Sequence, residues 1–281
     1  FYEIDFFSNC LILSRNRAAN SYSSSLIAFS KASLRFSRTN SSDNSPDNSP
    51  DNCWQSDQNY ARKLSQRLNL HLIDGSCIGA KLSDIASPIS IYSQMENIQS
   101  DTGLVTLLAG GNDLGYLARL MTASCENLVK QGKVHKTIPC LEMPEFPDIV
   151  DYENTEYHLN IITNAIIEKA PDAVIVLIDY ATVLPLTPLC DLTPMDTKYA
   201  IESNYIKGQL EGMLERVSTR NGTLLIKASE ITRDHNVCSE EPWIRDYKSA
   251  EWGMTTLPYH PTYEYMLAIT DALEDVLKPY F

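Results

Sequence analysis

The chain has 281 residues, 43% of them hydrophobic, and a formal net charge of −13 from 36 acidic against 23 basic side chains. That length carries one large α/β core or two small ones, with the composition of an ordinary soluble globular protein. The acidic balance and the absence of a Lys/Arg-rich run argue against nucleic acid and anionic membranes as primary partners, and no run of roughly 18 apolar residues is present to span a bilayer.

Residues 1–55 carry the weakest pattern. "CLIL", Cys10 to Leu13, reads as a short buried strand, and the tandem D-N-S-P repeat at about 40–53 is too polar and Pro-rich to pack, so it reads as a surface loop. Regular periodicity follows. Tyr60, Leu64 and Leu68 recur at helical spacing, "LHLID" is a short strand, and "LVTLLA" (Leu104 to Ala109) is a buried one, with a helix starting near Leu114. Leu159, Ile162, Ala165 and Ile166 mark a long helix that Pro171 ends. "AVIVLIDYA" then reads as a strand buried on both faces. A helix through Ile206, Leu210, Met213, Leu214 and Val217 is closed by "NGT" and followed by the strand "TLLIKA". The last helix begins at about Thr262. Alternating strands and helices imply a three-layer α/β/α sandwich with a parallel central sheet. No break in composition divides the later two-thirds, so the chain reads as a single domain over 1–281.

None of the seven cysteines forms a C-x-x-C pair, and N-x-S/T sequons stand at Asn40 and Asn221. Together these suggest a secreted protein with disulfides, its odd cysteine count leaving at least one thiol free or paired between chains. The start "FYEIDFF", without Met, fits a mature or truncated product. Neither G-x-G-x-x-G nor G-x-x-x-x-G-K-[ST] occurs, and the five histidines lack metal-ligand spacing. No cofactor and no metal are expected.

In a parallel α/β sheet the reacting groups sit on loops at the carboxyl ends of the strands. Those loops contain Gly79, then Gly110-Gly111-Asn112-Asp113, then "TTLPYHPTYEYM" with His260 directly before the last helix. Two readings of Asn112-Asp113 compete: an Asx cap on the following helix, or a polar group held out for chemistry.

The set G-x-N-D after a strand, an earlier loop glycine and a late His-Pro resembles the SGNH (GDSL-type) ester hydrolases, in their secreted microbial lipase/esterase branch. "CWQSDQNYARKLSQRL", "IDGSCIGAKLSDI", "TLLAGGNDLGYLARLMTASC" and "HNVCSEEPWI" resemble successive blocks of that family over roughly residues 53–281. The resemblance implies the flavodoxin-like SGNH-hydrolase fold. It also implies a nucleophilic serine in G-D-S-[YF]-[SA]-[SA]-G, whose counterpart is "ANSYSSS", placing the nucleophile at Ser21. Ala19, Asn20 and Ser25 depart from that pattern, and Ser14, directly after "CLIL", is the alternative.

By the same resemblance His260 is the general base, and the backbone N–H groups of Ser21 and Gly79 with the Asn112 amide form the oxyanion hole. Asp113 is a capping residue outside the chemistry. The family's acid three residues before the histidine is replaced by Leu257, whose backbone carbonyl is expected to orient the imidazole; Asp246 and Glu251 are acidic substitutes if the loop folds back. The resemblance also implies disulfides Cys125–Cys140 and Cys190–Cys238, with Cys53 paired to Cys10 or free. The expected activity is that of a secreted, monomeric serine esterase acting on a small-molecule or lipid ester. The alternative is a catalytically impaired relative that binds lipid or carbohydrate.

Overall fold

Two apolar runs decide where the sheet lies. Leu104–Leu107 and Val174–Ile178 place apolar side chains on both faces of an extended chain, so both must be covered by helices on either side. The computed structural model describes residues 56–86, 94–133, 140–186, 188–248 and 257–280, and before them the backbone of residues 12–13, 15–16, 23–26, 36–38 and 54–55. In chain order the elements are β1 (Ile12–Leu13), β2 (Arg15–Asn16), β3 (Ser23–Leu26), β4 (Phe36–Arg38), β5 (Trp54–Ser56), α1 (Tyr60–Leu68), β6 (Leu70–Ile73), α2 (Leu82–Ala86), β7 (Leu104–Leu107), α3 (Tyr116–Lys130), α4 (Ile149–Lys169), β8 (Val174–Ile178), α5 (Thr197–Asn221), β9 (Leu224–Ile226), α6 (Ala228–Ile231) and α7 (Tyr263–Leu277).

Strands β7, β8 and β9 form a parallel ladder in which Leu104 faces Val174 and Val176 faces Leu224, and β3 pairs with β6 in parallel. Three short pairings depart from the parallel expectation: β1 runs antiparallel to β6, β2 to β3 and β4 to β5. Only a few residues separate β2 from β3, enough for a reversal but too few for the crossover of about a dozen that a parallel pair needs. Of the strand expected over "CLIL", Ile12–Leu13 lies within the described residues and is β1.

Helix α1 packs against α7, while α3 and α4 pack against α5. One core cluster runs through these layers from Tyr60 to Leu277. The helix ends follow their local chemistry. Asp148 accepts from the N–H groups of Val150 and Asp151, and Asp151 reaches back to the N–H of Asp148, a capping box that starts α4. Gly222, in the left-handed region, closes α5. The sequon residue Asn221 is engaged there: its amide nitrogen donates to the Val217 carbonyl and to Asn160 Oδ1, bonds that a glycan at that nitrogen would have to displace. The Asn40 sequon lies outside the described residues. No described helix is long and apolar enough to cross a membrane.

Candidate active site

The segment after β7 does not run straight into a helix. Gly110 has φ +103, a backbone region only glycine enters freely, and a side chain at Gly111 would stand 2.6 Å from the Tyr180 ring. The Gly111 N–H instead donates to the Tyr180 hydroxyl at 2.7 Å. Backbone bonds from Leu114 to Gly110, from Gly115 to Asn112 and from Tyr116 to Gly111 wind the turn tight. Helix α3 therefore begins at Tyr116, two residues later than the periodicity suggests.

This turn carries Asn112 and Asp113 across to the neighbouring loop. The buried Asn112 amide donates to the Ala80 carbonyl at 2.9 Å. Asp113 accepts from the N–H of Leu82, the first residue of α2, through both oxygens. Asp113 is thus a cap, but of α2 and not of the following helix α3, whose N-cap position is Gly115 and has no side-chain cap. Burial pushes the Asp113 carboxyl up to about 6 in spite of the Leu82 N–H. The bonds from this pair fasten the loop whose apex is Gly79, at φ +92. Asn112 and the Gly79 loop, both assigned to the oxyanion hole from sequence, are brought together.

The other end of that loop hangs on Asp74, a residue the sequence reading passed over. Directly after β6, it accepts from Asn59 Nδ2 at 2.7 Å, Ser76 Oγ at 2.6 Å and the Ser76 N–H at 3.1 Å, with Arg62 at 3.3 Å. Burial is the larger effect and raises its carboxyl to about 6. Asn59 also caps α1, through the N–H of Arg62, so one carboxylate ties the helix start to the loop. The Asp-Gly-Ser tripeptide after a strand was the available signal, being an Asx-turn sequence.

His260 is buried, and its Nδ1 stands 2.7 Å from the backbone carbonyl of Pro258. The orienting carbonyl is therefore that of Pro258, one residue closer than the Leu257 carbonyl expected from sequence. The reason lies in Tyr259, which has φ +59, a left-handed conformation uncommon for a residue with a Cβ. That reversal turns the preceding carbonyl back toward the imidazole. It is held by the buried Tyr259 ring, whose hydroxyl meets Ser124 Oγ at 2.6 Å, and by backbone pairing on both sides. Tyr259 N–H donates to Arg245, Arg245 N–H to His260, and Thr262 N–H to the Trp243 carbonyl. Thr262 then stands at the N-cap position of α7, where the helix was expected to begin, without a side-chain capping bond.

The strip that pairs with His260 is itself fastened. Cys238 is bonded to Cys190, and the Val237 N–H donates to Val183. Cys125 is bonded to Cys140. Cys77 is disulfide-bonded as well. Cys10 and Cys53 lie outside the described residues, and with them the expected Cys10–Cys53 pairing.

Tyr259 and Pro261, on either side of His260, line a cavity of about 30 Å³ together with Tyr180, whose hydroxyl holds Gly111. The residues flanking His260 and the tyrosine that holds Gly111 thus face the same cavity. A third carboxyl, Asp179 at the end of β8, accepts from the N–H and hydroxyl of Ser229, and burial lifts it to about 6. Ser21 and Ser14 lie outside the described residues, as do Glu251 and the D-N-S-P repeat. Asp246 is described, but it is the Pro258 carbonyl that meets Nδ1.

No family model matches the chain. It is 26% identical to Lipase 2 of Streptomyces coelicolor over 216 residues, spanning 74% of this chain and 72% of that protein. The chain is thus similar in sequence to a lipase, in line with the resemblance of its sequence blocks to the SGNH (GDSL-type) ester hydrolases. Its fold matches that of phospholipase A1 from Streptomyces albidoflavus NA297, with a TM-score of 0.60 at 19% identity, over 79% of this chain and 88% of that one. It also matches the extracellular lipase of Streptomyces rimosus, with a TM-score of 0.57 at 20% identity over 78% and 88%. The flavodoxin-like SGNH fold, a parallel sheet with flanking helices, is thus the fold of this chain.

Proposed function

We propose that this chain is an SGNH hydrolase that cleaves carboxylic esters, those of lipids among them, through an acyl-enzyme, with Ser21 as nucleophile and His260 as its base. The observation that carries the reading is the bond between His260 Nδ1 and the Pro258 carbonyl. A carbonyl only accepts, so Nδ1 carries the proton and Nε2 carries the lone pair, the tautomer a general base needs.

The Ser21 hydroxyl attacks the ester carbonyl carbon as His260 Nε2 takes its proton. The carbonyl oxygen becomes an oxyanion, met by the N–H groups of Ser21 and Gly79 and by the Asn112 amide. Asn112 donates one N–H to the Ala80 carbonyl, which fixes the direction of its amide. Collapse breaks the C–O bond, and the imidazolium returns its proton to the leaving alcohol. Water, deprotonated by the same imidazole, then releases the acid and regenerates the serine. A backbone carbonyl in place of a carboxylate orients the ring without a full countercharge for the imidazolium. The disulfides and the likeness to an extracellular lipase support action outside the cytoplasm.

The test is labelling with a fluorophosphonate, which acylates activated serines, followed by peptide mass mapping of wild type and His260→Ala. An adduct on Ser21 that is lost in the variant is the expected result. Labelling at Ser14 would keep the class and move the nucleophile. A folded protein that takes no label would replace hydrolysis with the binding reading, to which the departures at Ala19, Asn20 and Ser25 point.

A further inference from the structure

Large exposed apolar side chains are unevenly placed on this protein. Of the eight described large apolar residues that are 44% exposed or more, six (Phe146, Ile149, Val150, Leu186, Ile201 and Tyr205) belong to the segments opening α4 and α5; Tyr157 lies further along α4 and Tyr280 after α7. Helices α4 and α5 each end within a few residues of the strand that follows, so both begin at the carboxyl edge of the sheet. Gly110, just past the end of β7, lies against Thr155 and Leu159 of α4 and Leu210 of α5. Everything earlier on either helix stands beyond the strand end: Ile149 and Val150 by about 8 Å, Tyr205 and Ile201 by about 8–14 Å at the helical rise per residue.

The rim is continuous. Phe146 and Tyr205 rings stand 6.1 Å apart, and Asn204 holds the Pro185 carbonyl beside Leu186 at 3.1 Å. The edge is the one that presents Asn112, the Gly79 loop and His260. We propose that this rim is a docking surface for a lipid layer with neutral or zwitterionic headgroups, setting the catalytic edge against aggregated ester substrate. The proposal rests on the lipolytic reading above and adds the surface and the physical state of the substrate to it.

Charge selects the occupant. Glu145, Asp148, Asp151 and Glu153 are exposed among the apolar side chains, on a chain of net charge −13. An anionic leaflet would be repelled by this surface. A second copy docked face to face across a two-fold axis would set these carboxylates against their own equivalents. Headgroups without net charge leave the carboxylates in water while the apolar side chains enter the acyl boundary, as in other interfacial surfaces.

The experiment floats the protein with dioleoylphosphatidylcholine vesicles, using a His260→Ala background so that no lipid is consumed. The rim variant carries Phe146→Ser, Ile149→Ser, Leu186→Ser and Ile201→Ser, all exposed positions, with thermal melting to confirm its fold. Partition should fall about tenfold or more in the variant, and should also fall when a third of the lipid is replaced by phosphatidylglycerol. With His260 intact, the rim substitutions should leave hydrolysis of soluble p-nitrophenyl acetate within about twofold of the unsubstituted protein. Equal flotation of parent and rim variant, or no flotation of either, overturns the proposal. So does a rim-dependent dimer in sedimentation. Absence of p-nitrophenyl acetate hydrolysis in the unsubstituted protein, with rim-dependent flotation intact, would remove the catalytic reading and leave the docking surface standing.

Discussion

The two halves of the candidate site are held in place by different chemistry. The Gly79–Asn112 side is fixed by polar side chains reaching across to a neighbouring loop: Asn112 to Ala80, Asp113 to Leu82, Asp74 to Ser76 and Asn59. The His260 side is fixed by backbone pairing along 243–262 and by a covalent link, Cys190–Cys238. The first depends on buried carboxyls, so it responds to protons; the second depends on a cross-link, so it responds to reductant. A donor that must point at one atom is served by directional side-chain bonds. A base whose tautomer must be set is served by a rigid backbone turn.

The largest expected effect lies on the side-chain half. Asn112→Ala removes the proposed transition-state donor and the anchor to Ala80 together. It should lower kcat by about 10²–10³ with little change in KM, the loss typical of one oxyanion donor. Equal losses in substrate affinity and turnover would show that Asn112 only positions the Gly79 loop.

The cross-linked half is broken by Cys190→Ser with Cys238→Ser. The sequence separation is 48 residues, against 15 for Cys125–Cys140. Loop-closure entropy makes the longer link worth about 4 kcal/mol and the shorter about 3 kcal/mol. Both pairs should lower Tm, which thermal unfolding measures. Only the first should also lower kcat below its melting range, because only it fastens the strip paired with His260. If both variants kept full kcat, the backbone pairing alone would be holding the histidine.

Much of this was legible before any coordinates. Strand and helix positions followed from period and Pro/Gly punctuation, whereas the roles given to His260, Asn112 and Gly79 came from the family resemblance. What escaped was the second layer of support. Nothing local in "AVIVLIDYA" says that Tyr180 will receive the Gly111 N–H, since that partnership exists only once β7 and β8 lie side by side. Pro258 displaced Leu257 as the orienting carbonyl because Tyr259 adopts a positive φ, a choice enforced by burial of its ring and invisible to residue statistics. The antiparallel β1 escaped for want of length: two residues carry no period.

The proton-sensitive half makes a prediction about pH. Asp74, Asp113 and Asp179 each titrate near about 6 when folded, raised from 3.8 mainly by burial. Between those values the folded state binds more protons than the unfolded one. Their contribution to stability is fully present below about pH 4 and is lost as pH rises through about 6. Each carboxyl is worth on the order of 2–3 kcal/mol across that window. The protein should therefore melt higher at pH 5 than at pH 7. Asp113→Asn, whose Oδ1 still accepts from Leu82, should flatten the slope. An unchanged slope in that variant would assign the pH dependence to other groups.

The smallest effect tests the turn that sets the base. Tyr259 and Ser124 hydroxyls meet at 2.6 Å in a fully buried setting. Removing either one leaves the other without that partner where water cannot replace it, so each single change costs more than the bond is worth. Tyr259→Phe and Ser124→Ala should each cost about 1–2 kcal/mol, read as a fall in Tm of a few degrees. The double variant, with no orphaned hydroxyl, should cost less than the sum. Strict additivity would mean that the pair does not hold the Tyr259 ring. The left-handed turn, and with it the Pro258 carbonyl facing His260, would then owe its stability to ring packing and to the backbone pairing with Arg245.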